Sequence, residues 1–122
     1  MAVRADLRER LVAAALGFPE ATEDFPWGER VAKVNKKIFA FFGTDQSEGF
    51  GVTLKLPESC DFALRFAGVT PAAYGLGRAG WVRVGLGPEH PSADLLLDWL
   101  DESYRAVAPM RLIAALDATH RA

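Results

Sequence analysis

Apolar residues at helical spacing open the chain. Val3, Leu7, Leu11, Ala14 and Phe18 share one stripe, with Arg4, Arg8 and Arg10 elsewhere on the surface, so residues 4–16 are predicted to be helical. Gly17 and then Pro19 stop that helix, because glycine accepts the left-handed turn and proline cannot propagate the ladder. An acidic loop from Glu20 to Asp24 leads into Phe25-Pro26-Trp27-Gly28. There Pro26 biases Phe25 toward extended geometry, and Gly28 permits a tight bend at the entry to the sheet.

The period then changes to two. Segments 31–34 and 38–42 flank Asn35-Lys36-Lys37 as a hairpin, and residues 50–56 alternate cleanly. Phe50, Val52, Leu54 and Leu56 are expected in the core, with Gly51, Thr53 and Lys55 on the other face. Pro57 ends this strand and opens a short helix over 58–66, with Phe62 and Phe66 on one side. After a Gly/Pro/Ala-rich connection, Val82, Val84 and Leu86 alternate with Trp81, Arg83 and Gly85.

The last third is helical. Ser92 caps a helix with Leu96, Trp99, Leu100 and Val107 on its apolar face and Asp98, Asp101 and Glu102 on its wet side. Asp94 suits the positive end of that helix, and Pro109 starts a terminal helix over 110–118. The order α-β-β-β-α-β-α-α lacks βα alternation. It predicts an α+β fold in which a mostly antiparallel sheet of four to five strands packs on three to four helices.

Composition adds bounds. A chain of 122 residues suits one domain over 1–122, and its apolar runs fall far short of the ~20 residues a membrane helix needs. The N-terminus shows no secretory h-region and Cys60 is the single cysteine, so the expected compartment is the cytoplasm, with no membrane partner. The net charge of −2 is unevenly spread. Residues 1–29 carry −3, residues 30–84 carry +4 and residues 85–122 carry −3.

Candidate chemistry is sparse. Gly75-Leu76-Gly77-Arg78-Ala79-Gly80 spells G-x-G-x-x-G, but a dinucleotide site needs a strand before it and a helix after it. Here a strand follows, so the tract reads as a turn, with Arg78 and backbone N–H groups as a candidate anion site. His90 and His120 are isolated, and no metal-ligand spacing is present, so no metal or cofactor is implied. Cys60 falls near a helix start, where a thiolate is favoured, but a lone cysteine there reads as structural or incidental. Glu20, Glu23 and Asp24 read as a solvated acidic loop; an enzyme would need Glu23, Asp24 or His90 gathered in a pocket.

The second sheet face holds the remaining signal. Alternation puts Lys33, Phe39, Phe41, Thr53, Lys55, Trp81 and Arg83 opposite the Val/Leu core. Cations among aromatics suit nucleic acid, since Lys and Arg neutralise phosphates and rings stack on bases. The residues assigned to such a site are Lys33, Lys55, Arg78, Trp81 and Arg83. Two alternatives stand beside it: helices covering both faces, and a protein- or small-ligand-binding module centred on the tryptophans.

Several tracts resemble one family. They are Leu16-Gly17-Phe18-Pro19-Glu20, Phe25-Pro26-Trp27-Gly28 and Ile38-Phe39-Ala40-Phe41, followed by Val52-Thr53-Leu54-Lys55, the run from Tyr74 to Val82, and Glu102-Ser103-Tyr104-Arg105. In this order they are similar to MmcQ/YjbR-type proteins. The resemblance implies a YjbR-type fold, likened to the "double wing" domain of a phage transcription factor, and with it DNA binding. It carries over no catalytic residue. Family members often end in a basic stretch, whereas this chain continues as Pro109-Met110-Arg111 and a helix without one.

Overall fold

The computed structural model describes residues 2–43, 51–72, 79–86 and 90–121. Helix α1 (Ala2–Leu16) is followed by strands β1 (Thr22–Asp24), β2 (Arg30–Val34), β3 (Lys37–Gly43) and β4 (Gly51–Lys55). A 3-10 turn (Pro26–Gly28) precedes β2, and helix α2 (Cys60–Ala63), strands β5 (Val69–Pro71) and β6 (Trp81–Gly85), and helices α3 (Ala93–Val107) and α4 (Met110–Arg121) follow β4. The six strands of the described residues form one antiparallel sheet in the order β1-β2-β3-β4-β6-β5. The fold is α+β, with two short strands more than the alternation pattern exposes.

Those two strands are the sheet edges, and each has a reason to escape a pattern search. β1 is Thr-Glu-Asp, exposed throughout, and takes the place of the predicted acidic loop. β5 is three residues inside the Gly/Pro/Ala-rich connection and ends at Pro71, which a sheet tolerates at an edge. Short, polar or proline-bearing edges also discourage pairing with another chain.

The central hairpin follows the sequence closely. Val34 pairs with Lys37 across a two-residue turn in which Asn35 and Lys36 have φ of 52° and 67°. Positive φ at both central positions matches the right-handed strand twist, and Asn accepts that region more readily than most residues. The register shifts at Arg30/Val31 and at Ala32/Lys33. The second shift leaves Phe39 as an extra residue in β3 between Ile38 and Ala40, so it packs on the helix side against Phe18 and Tyr104. Phe39 therefore leaves the set expected on the opposite face.

One face of the sheet carries the core. Ala32, Val34, Ala40, Phe42, Val52, Leu54, Val82 and Val84 pack with Leu7, Leu11, Leu96, Trp99, Leu100 and Tyr104. Each large side chain buried here contributes roughly 1.5–3 kcal/mol. All four helices reach this side: Ala63 of α2 and Leu112 and Leu116 of α4 belong to the same cluster. Arg8, expected on the surface, is 3% exposed, and its guanidinium donates to the Gly43 carbonyl at 3.2 Å. α1 lies flat enough on the sheet to bury that position as well.

Helix α3 ties the layers together through four consecutive residues. Glu102 accepts from the N–H groups of Glu58 and Ser59, both at 3.0 Å, and from the Ser59 hydroxyl, and so caps α2 from outside. α2 is shorter than the predicted 58–66, but its start is anchored by this acceptor, and Glu102, expected on the wet side, is half-buried against it. Ser103 bonds to the sheet, accepting from Lys55 N–H and donating to the Phe39 carbonyl. Tyr104 stacks on Phe18, with centroids 4.7 Å apart, and donates to the Pro19 carbonyl at 2.7 Å. Arg105 bridges Asp101 and Asp117 of α4, which together hold its guanidinium charged. Ser92 caps the helix start as expected, accepting from Leu95 N–H at 3.2 Å.

Candidate nucleic-acid interface

The second sheet face is assembled by the registers of β2, β3, β4 and β6. Val31 sits opposite Phe41, Phe41 opposite Thr53, Thr53 opposite Arg83, and Lys55 opposite Trp81. Because alternate residues share a face, Lys33 joins this set on β2 and Thr70 joins it on β5 beside Arg83. Lys33, Lys55, Trp81 and Arg83 thus stand on one face, opposite the helices. Arg78, the remaining residue assigned to the site, lies outside the described residues, as does most of the G-x-G-x-x-G tract.

The aromatics form the floor of this face. Phe41 and Trp81 meet edge to face, with centroids 5.5 Å apart and planes at 66°. Trp81 is only 9% exposed and Val31 is 1% exposed, although neither belongs to the helix-side core. The face therefore has a small apolar layer of its own beneath its polar side chains.

The cations above this floor are placed differently. Lys33 Nζ lies 3.3 Å from the Asp24 carboxylate. That carboxyl is held below its usual range by the Phe25 N–H, which donates to it, and then by Lys33. Lys55 is half-buried, and Arg83 is exposed. The Arg83 guanidinium lies along β4 over Gly51, so close that a Cβ at Gly51 would be 2.8 Å from its Cζ. Gly51 is thus the residue that lets Arg83 lie flat on the sheet. Neither Asp24 nor Gly51 is conspicuous in the sequence: the first required the unsuspected strand β1, and the second the β4–β6 register.

At the edge of the face, Gly80 feeds the chain into β6 with φ of 88°, and its carbonyl accepts from Leu56 N–H at 2.8 Å. A Cβ there would lie 3.2 Å from the Leu56 carbonyl oxygen. Only glycine meets both conditions without strain. At the strand entrance, then, the tract's last glycine acts as a turn.

The other candidates do not converge. Glu23 bonds Arg30 at 2.7 Å on the helix side, where Arg30 also reaches Glu9 of α1. Asp24 points to the opposite face with Lys33, and His90 Nδ1 contacts the neighbouring Pro91 carbonyl. Burial, followed by Asp61 and Glu102, pushes the Cys60 thiol above its ordinary range, so the nearby helix start does not favour a thiolate here. A cavity of about 350 Å³ between α3 and the entry to α2 is lined by Pro57, Glu58, Asp101, Glu102, Arg105 and Ala106, and includes none of Glu23, Asp24 and His90. Among the described residues no group of three His, Cys, Asp or Glu side chains stands together as a metal site. No described helix is long and apolar enough to cross a membrane.

The YjbR family model matches residues 16–106, from the end of α1 to near the end of α3. The chain belongs to the YjbR family. The matched span contains the described sheet and the Glu-Ser-Tyr-Arg run of α3, while α4 lies beyond it. No curated protein matches the chain.

Proposed function

We propose that this YjbR domain binds DNA through the sheet face that bears Lys55 and Arg83. The supporting observation is the segregation of charge across the two layers. Lys33, Lys55 and Arg83 share the face away from the helices, with Asp24 beside Lys33 as its acidic member, while α3 on the other side carries Asp94, Asp98, Asp101 and Glu102 against one arginine. A polyanion approaching the sheet meets Lys55 and Arg83 first and is kept at a distance from the acidic helix α3. The DNA binding implied by the family resemblance points the same way, although fold likeness alone carries no function.

In this reading Lys55 and Arg83 neutralise phosphates, Lys33 contributes against the pull of Asp24, and Trp81 supports the surface from below. The test is titration of the protein with labelled DNA at low salt, alongside the Lys55→Glu, Arg83→Glu double variant. Saturable binding that the double variant abolishes supports the proposal. Absence of saturable binding, or an unchanged double variant, overturns it in favour of the protein- or small-ligand-binding module.

A further inference from the structure

Resting on that reading, we infer that the DNA recognised is a duplex held by its phosphates, and not a single strand held by its bases. Stacking is the main source of affinity for single strands, at about 1–3 kcal/mol per base, and it needs an open ring face. The sheet face offers none of base size among its described residues. Trp81 is 9% exposed, and the half-buried Phe41 has its ring engaged by Trp81. The open phenyl of Phe25 lies beside Arg30, which bonds Glu9 of α1 and so belongs to the helix side. Phe62, also open, contacts Phe66, which packs on Trp99 of α3.

What the face does present is hydroxyl and cationic. Thr53, Lys55, Thr70 and Arg83 lie on β4, β5 and β6 in register. Since Lys55 is opposite Trp81, Arg83 is its diagonal neighbour, about 7–8 Å away between Cα atoms. Hydroxyls and cations at that separation are the donors that phosphate oxygens accept from. Charge density then favours the duplex, which carries one charge per about 1.7 Å of axis against about 3.4 Å for one strand. With two or three phosphates neutralised, duplex affinity is expected to fall roughly 10- to 40-fold between about 50 and 200 mM salt.

The experiment compares a short mixed-sequence duplex with oligo-dT of equal length, using the full chain and its Phe41→Leu variant. Tighter duplex binding with that salt dependence, unchanged in a Phe41→Leu protein that melts cooperatively, is the expected result. Tighter binding of oligo-dT, or its selective loss in Phe41→Leu, overturns the duplex inference and leaves DNA binding standing. Silence toward both probes overturns the inference and the functional reading together.

Discussion

Ser103 of α3 accepts a hydrogen bond from the backbone N–H of Lys55 at 2.8 Å and donates its own hydroxyl to the Phe39 carbonyl. The paired residues Ala40↔Leu54 would be followed, one step along, by Phe39 opposite Lys55. The hydroxyl stands between those two, so a helix side chain substitutes for a rung of the β3–β4 ladder. A group on the covered side of the sheet thereby fixes the strand end from which the Lys55 side chain projects on the other side.

Ser103→Ala should therefore destabilise the fold by about 1–3 kcal/mol, because a backbone donor and acceptor lose their partner in a site that admits little water. Urea unfolding measures it. A change within about 0.5 kcal/mol would show that the rung closes by itself or that water replaces the hydroxyl.

Gly80→Ala should be more costly than an average surface substitution. It combines the left-handed φ of 88° with a Cβ placed 3.2–3.3 Å from the Leu56 and Pro57 backbone, which cannot rotate aside as a side chain could. A loss of at least about 1–2 kcal/mol is expected from the backbone conformation alone. Gly28→Ala, with φ of 78° but nothing within 4 Å, supplies the comparison without the close approach. Thermal melts of the two variants should separate, with Gly80→Ala the lower.

If the sheet face binds DNA as proposed, Asp24→Asn should strengthen that binding and steepen its salt dependence by about one phosphate contact, since it frees Lys33 from its carboxylate partner. The pH behaviour has a definite sign. With the folded carboxyl held below its usual range, its contribution to stability is present above the unfolded value of about pH 4 and is lost as pH falls through the lower folded value. Glu20, held down by its hydrogen bond and charge contact with Arg111, titrates in the same sense. Acid unfolding followed by circular dichroism should show stability level through neutral pH and falling below about pH 4, less steeply in the Asp24→Asn, Glu20→Gln double variant.

Glu102→Ala removes the acceptor shared by Glu58 N–H, Ser59 N–H and the Ser59 hydroxyl. A loss of about 1–2 kcal/mol is expected, as for other helix N-caps. Hydrogen exchange should locate it, with the amides at 58 and 59 and the first turn of α2 exchanging faster while β6 is unaffected. Uniform acceleration across the sheet would instead point to a global role.

The Cys60 thiol should react sluggishly with iodoacetamide at neutral pH, because burial and the nearby carboxylates of Asp61 and Glu102 oppose the thiolate. Its alkylation rate should keep rising past the pH at which an ordinary thiol levels off, and Glu102→Gln should move that rise to lower pH.

Local pattern sufficed wherever one element's own residues set its geometry. Helical spacing and Gly17 bounded α1, Asn35-Lys36 closed the hairpin, Ser92 capped α3, and strict alternation oriented β4 and β6. The short tracts shared with the YjbR family also lay in the sequence, as did the opposition of Lys55 and Arg83 to the valines and leucines around them. Tertiary structure alone decided the rest, because the deciding contacts join residues far apart in the chain. Edge strands β1 and β5 exist through their neighbours and have no pattern of their own. The register shift between β2 and β3 at Ala32/Lys33 sent Phe39 to the helices, α1 buried Arg8, and α3 turned Glu102 and Ser103 into partners of α2 and the sheet. Periodicity gives each strand two sides; only docking the helices determines which side is covered and leaves Lys55 and Arg83 on the other.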